Sequence, residues 1–474
     1  MADLTIRNLT ITPLELKLVE RFEGQPASGR GSPVCSFTSR ISSLFSSCAV
    51  STHVRIKSDE IDRCDVSFVV GPFETCVTDV RAADPGREVI RLTFEDSDGY
   101  QYQVDVPSPS PRSTVMKRLD GAPNEYTTIY VQAGSCLAIF SSANLSSWMR
   151  EVHDDYPLSA LSIPGTHNTP TYHLALPSVR CQAASVREQL ENGVRFFDIR
   201  VNVSSDSSEL ALVHSAFPVS LTGTKYFKDL LDVVYAFIEA NPSEALIMSI
   251  KREGTGRGTD QQLSKILKNR FYEDGRRWYT NPRIPKIGEV RGKIVLLRRH
   301  HNDPSLDGEW GGLGWGLDGS VWPDNCEDGL LGSGIARVQD FYEVDQSHNI
   351  QKKIEFVRCH LERAAEPVCQ LPGSKGHQDQ DRAAPHPFFV SFLSGSNFFN
   401  ANCWPEKIAA KANPAIIEYL CLRHAAEGKG PAGRNVGDGS TGVVVTDWVG
   451  LDGDWDLIRC VVGWNARLQL KQID

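Results

Sequence analysis

The sequence predicts an irregular (β/α)8 barrel of TIM type over residues 146–474, preceded by an all-β, sandwich-like domain over residues 1–143. Three observations carry this reading. The chain has 474 residues, room for more than one domain at roughly 100–200 residues each. Up to about residue 145, short segments of period-two alternation recur between turn residues, and no helix of convincing length interrupts them. Beyond that point, apolar strand-like runs alternate with helical stretches, the pattern of a parallel sheet covered on both faces.

In the first region the strand segments are LTIRNLTI, HVRIK, DVSFVVG, EVIRLTFED, YQYQVDV, TIYVQ and CLAIFSS. Pro and Gly punctuate them, as in ADPGRE and SPSPRS. The Ser-rich stretch Cys35–Cys48 reads as a loop, and the whole as an antiparallel sandwich. In the second region the runs are LSALSI, VRFFDIRV, LALVH, EALIMSIK, KIVLLRR, IARVQDFY, FFVSFLS and GVVVTDWV, giving eight parallel strands. Between the third and fourth, Phe227, Leu230, Leu231, Val234, Phe237 and Ile238 recur at helical spacing, and Pro242 stops that helix. NIQKKIEFVRCHLERAAE and PEKIAAKANPAIIEYLCLRHA are further helices. The connection from Val201 to Leu210 is too short and polar for a helix, which makes the barrel irregular. Leu371–Pro387 and Ala425–Gly442 read as surface loops.

Composition narrows the function. The net charge of −9 argues against a nucleic-acid binder that relies on a broad basic field. No run of about 18 apolar residues is present, and MADLTIRNLT has no secretory pattern, so the expectation is a cytoplasmic protein. The 12 cysteines form no C-x-x-C pair and no zinc spacing; they read as thiols of a reducing compartment. The sequons at Asn8, Asn144 and Asn202 mean little without a secretory signal.

Barrel enzymes place their chemistry at the C-terminal ends of the strands. Here those ends carry His167 and Asn168; Asp198 and Arg200; His214; Lys251; Arg298 and Arg299; Asp340 and Tyr342; and Asp447, while the seventh ends in SGS. Two histidines serve as general base and general acid on opposite sides of a reacting centre. Arg200 between them stabilises negative charge on a phosphate by bidentate hydrogen bonds, and takes over the task of a metal ion. Asp447 orients one imidazole and favours its protonated form. Any one of these is more simply a rim ion pair; the recurrence at seven of eight strand ends points to a site. Asp198 reads less as a catalyst than as a partner of the neighbours of Arg200. Gly311–Gly319 matches no phosphate loop and reads as a turn with close backbone contacts, and His300 and His301 have no evident partner. The set suits in-line cleavage of a phosphodiester with no metal and no other cofactor.

The segment SWMREVHDDYPLSALSIPGTHNT, followed in order by GVRFFDIRV, LALVHSAF, NPSEALIMSIKRE, RGKIVLLRR, WPDN, RVQDFY and VVVTDWV, resembles the catalytic X domain of bacterial-type phosphatidylinositol-specific phospholipase C over about residues 146–470. The resemblance implies cleavage of phosphatidylinositol, or a related inositol phospholipid, to diacylglycerol and inositol 1,2-cyclic phosphate. It implies that His167 is the general base for the inositol 2-hydroxyl, that His214 is the general acid for the diacylglycerol oxygen, and that Arg200 replaces the calcium of eukaryotic relatives. It pairs Asp447 with the base and assigns Lys251, Arg299, Asp340 and Tyr342 to inositol. Asn168 departs from the aspartate usual in bacterial members; eukaryotic members use Asn there as a calcium ligand, but the charge of Arg200 disfavours that ion.

The implied partner is a phosphatidylinositol-containing membrane surface, met peripherally by a chain expected to be a monomer. Tyr172, Leu174 and Leu176, then Phe398, Phe399 and Trp404, are the expected contacts. Two other readings stand beside this one. A non-catalytic inositol-lipid binding protein would use the same barrel. A metal-dependent phosphodiesterase would need a carboxylate cluster where Arg200 stands.

Overall fold

The computed structural model describes residues 2–26, 54–109, 113–119, 121–205, 208–272, 275–371 and 385–473. The Ser-rich stretch Cys35–Cys48 and most of the Leu371–Pro387 loop lie outside these residues. The chain divides into two units, Met1–Ser142 and Ala143–Asp474.

The first unit is built from two five-stranded sheets. One runs in the order Thr75–Arg81, Asp3–Leu9, Cys136–Ser141, Tyr126–Val131, Thr114–Val115; the other runs Val54–Val70, Leu14–Pro26, Glu88–Asp96, Gln101–Val106, Lys117–Arg118. The period-two signal does its work here. In Gln101–Val106, Tyr102, Val104 and Val106 point inward while their neighbours are half-exposed. Leu4, Ile6, Leu137 and Ile139 of one sheet share a buried cluster with Leu16, Leu92, Phe94 and Val104 of the other. Two corrections follow. The expected all-antiparallel pairing fails where Asp3–Leu9 lies parallel to Cys136–Ser141, because first and last strands far apart in sequence need no tight turn between them. The described part of HVRIK, from Val54 on, and all of DVSFVVG but its last residue belong to one strand, Val54–Val70. The strand Leu14–Pro26 is absent from the expected segments, although Leu14, Leu16 and Leu18 alternate with Glu15 and Lys17; a bulge between Leu16 and Leu18 then turns Leu18 partly out and Val19 in.

In the second unit eight strands answer the expected ones: β1 (Ile163–Thr166), β2 (Phe196–Val203), β3 (Leu210–His214), β4 (Ala245–Arg252), β5 (Lys293–Arg299), β6 (Ala336–Gln339), β7 (Phe388–Phe392) and β8 (Val443–Thr446); β1 is displaced, since it begins at the last residue of LSALSI, whose Leu158–Ala160 form a short 3-10 helix. Seven are parallel, side by side in the order β5-β4-β2-β1-β8-β7-β6. β3 is a correction: it runs antiparallel to β2, pairing Val201 with Leu212 and Val203 with Leu210. The physical reason is the short link between them, since a parallel crossover needs a dozen or more residues. Two short strands, Trp278–Tyr279 and Leu317–Asp318, add parallel pairings to β5. No ladder joins β5 to β6 among the described residues.

The continuous apolar runs are buried on both faces, as in β4, where Ala245 through Ile250 are all buried. Helices Phe227–Ala240, Asn349–Ala364 and Pro405–Leu422 fall where the spacing placed them, the first ending just before Pro242. The Gly-rich turn has a steric reason: Gly316 stands at φ +80° with Leu296 side-chain atoms 3.0 Å from where a Cβ would be. Ala425–Gly442 contains no helix or strand, but its end is no surface loop, because Asp438, Ser440 and Thr441 are buried. Parallel strands put their C-terminal ends on one side of the sheet, and there the polar residues collect.

Candidate active site

His167 follows β1 directly, and its carbonyl is clamped by Gln182, whose Nε2 donates to His167 (2.7 Å) and to Thr446 (2.9 Å). Its Nδ1 lies 2.9 Å from Asp447 Oδ1, at the end of β8. An ionised carboxylate there is the acceptor of an Nδ1–H, which leaves Nε2 as the free lone pair. Asp447 is 1% exposed, and its Oδ2 has no donor. Burial drives the Asp447 carboxyl well above its ordinary range, against the charges of Lys353 and Arg200. Burial, then Arg200, hold the His167 imidazole well below its ordinary value, so it is neutral and competent as a base.

His214 ends β3, with its ring centroid 5.6 Å from that of His167. Its Nδ1 lies 2.8 Å from the Val179 carbonyl, which fixes the tautomer with Nε2 outward. Cys181 Sγ lies 3.6 Å from the same Nδ1. Burial and Arg200 lower the imidazole's affinity for a proton.

Side-chain alternation along β2 sets Asp198 and Arg200 on one face. Arg200 Nε bonds Asp198 Oδ2 at 3.1 Å, and its NH1 bonds Glu253 Oε1 at 3.0 Å. Glu253 also accepts from Lys251 Nζ (2.8 Å) and from the Ser215 backbone N–H (2.9 Å). Burial opposes ionisation of Glu253, yet Arg200 and Lys251 bring its carboxyl down to about 2. In Asp198 burial is likewise overcome by Arg200 and Arg299. The guanidinium is thus gripped from two sides and presented rigidly. Arg299 lies 3.5 Å from Asp198 and 3.9 Å from Asp340, with its guanidinium 4.0 Å above the Trp322 ring. Trp322 Nε1 donates to Asp340 (2.9 Å), and Tyr342 donates to Asp324 (2.8 Å).

The structure brings His167, Arg200, His214, Lys251, Arg299, Asp340 and Tyr342 onto one cavity of about 640 Å³. Asp447 and Asp198 stand behind that wall. Asn168 differs from expectation. It adopts φ +41°, a conformation Asn tolerates, and its fully buried side chain has no hydrogen-bond partner and does not line the cavity. Its backbone N–H holds Asp198 Oδ2 at 3.0 Å. Arg298 points elsewhere, to Asp318 and the Trp315 carbonyl. His300 is buried against the Ile250 carbonyl, and His301 is exposed. Sequence reasoning missed Glu253, which lies one residue beyond the end of β4 and two beyond Lys251. It also missed Trp322, inside the quoted WPDN, and Phe217, which stacks on Phe398 at 5.6 Å.

Among the described residues, His167, Cys181 and His214 are the one group whose ligand atoms approach within 4.8 Å as a metal site requires. The fixed charge of Arg200 beside both imidazoles opposes a cation there. Phe398 and Phe399 line the cavity and are exposed, Phe399 to 94%; Leu174 and Leu176 are exposed on the loop that leads to Val179 of the cavity wall. Tyr172 and Trp404 are half-buried rather than exposed. Tyr172 packs on the core and against His173, and Trp404 turns its Nε1 to the Phe398 carbonyl (3.3 Å).

Residues 155–300 match the family described as phosphatidylinositol-specific phospholipase C, X domain. The chain is 34% identical over 178 residues to a 1-phosphatidylinositol phosphodiesterase of Listeria monocytogenes, a match covering 35% of this chain and 53% of that protein. Thus it spans about half the length of that relative. It is 26% identical over 299 residues to the Staphylococcus aureus (strain Newman) protein of the same name, covering 59% of this chain and 84% of that one. A solved structure of the Staphylococcus aureus phosphatidylinositol-specific phospholipase C, from work on its membrane binding, superposes with a TM-score of 0.52 at 23% identity, over 68% of this chain and 97% of that chain. That likeness is one of fold. The X-domain match includes the ends of β1, β2, β3, β4 and β5, which carry both histidines and Arg200.

Proposed function

We propose that residues 143–474 form an open (β/α)8 barrel that cleaves phosphatidylinositol, or a related inositol phospholipid, to diacylglycerol and inositol 1,2-cyclic phosphate without a metal. The observation that carries this reading is the pair of imidazoles 5.6 Å apart beside an arginine gripped by Asp198 and Glu253. His167 Nε2 takes the proton of the inositol 2-hydroxyl. That oxygen attacks phosphorus, and the bond from phosphorus to the glycerol oxygen breaks. His214 Nε2 supplies the proton to the leaving oxygen. Arg200 neutralises the charge that gathers on the non-bridging oxygens. The nucleophile belongs to the substrate, so proximity and orientation supply much of the rate.

His214 must carry a proton to act, although burial and Arg200 depress its affinity for one in the empty site. The sign reverses when the phosphodiester anion enters, because a negative charge beside an imidazole favours its charged form. Lys251, Arg299, Asp340 and Tyr342 are the inositol contacts in this reading, and Glu253 joins them by holding Lys251 and Arg200.

The membrane is met peripherally. Among the described residues no helix is long and apolar enough to cross one. With a net charge of −9, a general electrostatic attraction to anionic lipid is weak. The apolar rim of Leu174, Leu176, Phe398 and Phe399 supplies the contact instead. Incubation of the protein with labelled phosphatidylinositol in chelator tests the function. Cyclic inositol phosphate is the expected product. Lipid binding with no product, with or without calcium, would leave the non-catalytic reading in place.

A further inference from the structure

The parallel ladder between β1 and β8 stops at the pair Thr166 and Thr446, one residue short of His167 and Asp447. Up to that point its bonds are regular. The Ile163 N–H donates to the Gly442 carbonyl and, four residues on, the His167 N–H donates to the Thr446 carbonyl, both at 2.9 Å. One more rung would send the Trp448 N–H to the His167 carbonyl. Instead Trp448 leaves the strand at φ +53°, and its N–H goes to the Cys181 carbonyl at 2.8 Å. The His167 carbonyl takes the Gln182 side chain in its place. Two neighbouring residues of the loop after β1 thus stand in for the next rung, Cys181 with its carbonyl and Gln182 with its amide.

We propose that Gln182 is a positioning residue: its amide, bonded to both strand ends at once, holds the backbones of β1 and β8 at the spacing that seats His167 Nδ1 on Asp447. The proposal rests on His167 being the base of the proposed reaction. Gln182 is fully buried and faces two acceptors, so the place calls for an amide nitrogen. One Nε2 proton serves the His167 carbonyl at 2.7 Å and the other the Thr446 carbonyl at 2.9 Å. Thr446 is the residue before Asp447, whose Oδ1 lies 2.9 Å from His167 Nδ1. Gln182 does not line the cavity, so it touches no substrate. Its segment is tied down without it. The Cys181 N–H donates to Thr171 Oγ1 (3.1 Å), Trp448 Nε1 donates to the Arg180 carbonyl (3.3 Å), and the Arg180 guanidinium lies 4.8 Å from the centre of the Trp448 ring. Without the amide, the buried His167 carbonyl loses its donor, a costly state. Drawing the Trp448 N–H back into the ladder answers it, and that movement carries Asp447 along.

Gln182→Met removes the donors and keeps much of the shape. It should lower kcat by about tenfold to a hundredfold with KM nearly unchanged, the cost of a misplaced base. The downfield Nδ1 proton of His167 in NMR spectra should shift upfield or vanish. Gln182→Met added to Asp447→Asn should cost little more than Asp447→Asn alone, because both act through one contact. A folded Gln182→Met with parental kcat and the parental Nδ1 proton overturns the proposal, and so do losses that multiply in full in the double variant. Should Gln182→Met fail to fold, Gln182→Glu takes its place. A protonated carboxyl offers one donor to two carbonyls, so a smaller loss of kcat is expected, and parental kcat with the parental Nδ1 proton overturns the proposal. The parent gives a test that needs no variant. The side-chain amide protons of Gln182 should exchange slowly with water, as protons in two buried hydrogen bonds do; fast exchange overturns the proposal. A parent that cleaves no phosphatidylinositol sinks the functional reading alone, because the Nδ1 proton still reports on the seat of His167.

Discussion

His167 and His214 face each other in one cavity, yet the chain holds them by different means. His167 leans on a buried carboxylate, Asp447, reached across the sheet from β8. His214 leans on a backbone carbonyl, Val179, with a thiol beside it. A carboxylate stabilises the imidazolium that forms when a base takes a proton; a neutral carbonyl fixes the tautomer but adds little to proton affinity. The first arrangement suits a group that begins neutral and ends charged. The second suits a group that must give its proton away. Arg200 pushes both imidazoles toward neutrality, so the asymmetry comes from their Nδ1 partners.

The sharpest way to break this comparison is to remove each ring. His167→Ala and His214→Ala should each lower kcat by about two to four orders of magnitude while leaving the fold intact. A phosphodiester whose leaving group is a stable phenolate needs no proton on departure. On such a substrate His214→Ala should recover much of its loss, and His167→Ala should not. Equal recovery by both, or by neither, would remove the distinction between base and acid.

Arg200 tests what the two histidines share. Arg200→Lys should lose about 10²–10³-fold in kcat, since an ammonium cannot grip Asp198 and Glu253 and still offer a fork to phosphate. Parent activity should be indifferent to chelator. Activity abolished by chelator and restored by calcium would show that the arginine does not do a metal's work.

Stability against pH is a smaller and more general effect. Burial holds His300 and His360 at about 4, and His167 and His214 are also depressed. With folded values below the unfolded value of about 6.5, the unfolded chain binds protons first as the pH falls. The stabilisation is complete above that value and is lost between about 6.5 and about 4. Melting temperature should therefore drop across this window. His360→Leu, remote from the cavity, should flatten the drop in part, and a slope unchanged by it would mean that this ring does not titrate as its burial dictates.

How much of this was legible follows from the same physics. Strand ends were readable because a parallel sheet must be apolar along its strands and can turn polar only where they stop; that rule located His167, Arg200, Lys251, Arg299, Asp340 and Asp447. The direction of β3 was misread because LALVH is as apolar as a parallel strand, and only the length of the preceding link reveals the hairpin. Glu253 was missed because it lies one step past the apolar run. Asn168 was misplaced because a left-handed backbone angle, invisible in sequence, decides where its side chain goes.

The last comparison is between two loops with exposed apolar residues. Leu174 and Leu176 belong to the loop after β1, whose Val179 carbonyl holds His214, whereas Phe398 and Phe399 follow β7 and meet the chain after β3 through the stack of Phe398 on Phe217. The backbone N–H of Leu221, another exposed leucine, donates to the Leu174 carbonyl at 2.9 Å and ties two loops of the rim together. If both loops insert into lipid, the larger rings should matter more, because the gain scales with the apolar area buried, roughly 25 cal/mol per Å². Phe398→Ser with Phe399→Ser should therefore weaken vesicle binding more than Leu174→Ser with Leu176→Ser, as sedimentation would report. Phe398 and Phe399 also line the cavity, so a water-soluble inositol phosphodiester is the control. Retained turnover on that substrate with lost vesicle binding identifies them as membrane contacts. Loss of both moves them into the substrate site, and parental behaviour on both leaves the exposed face of Phe399 with no part in lipid binding.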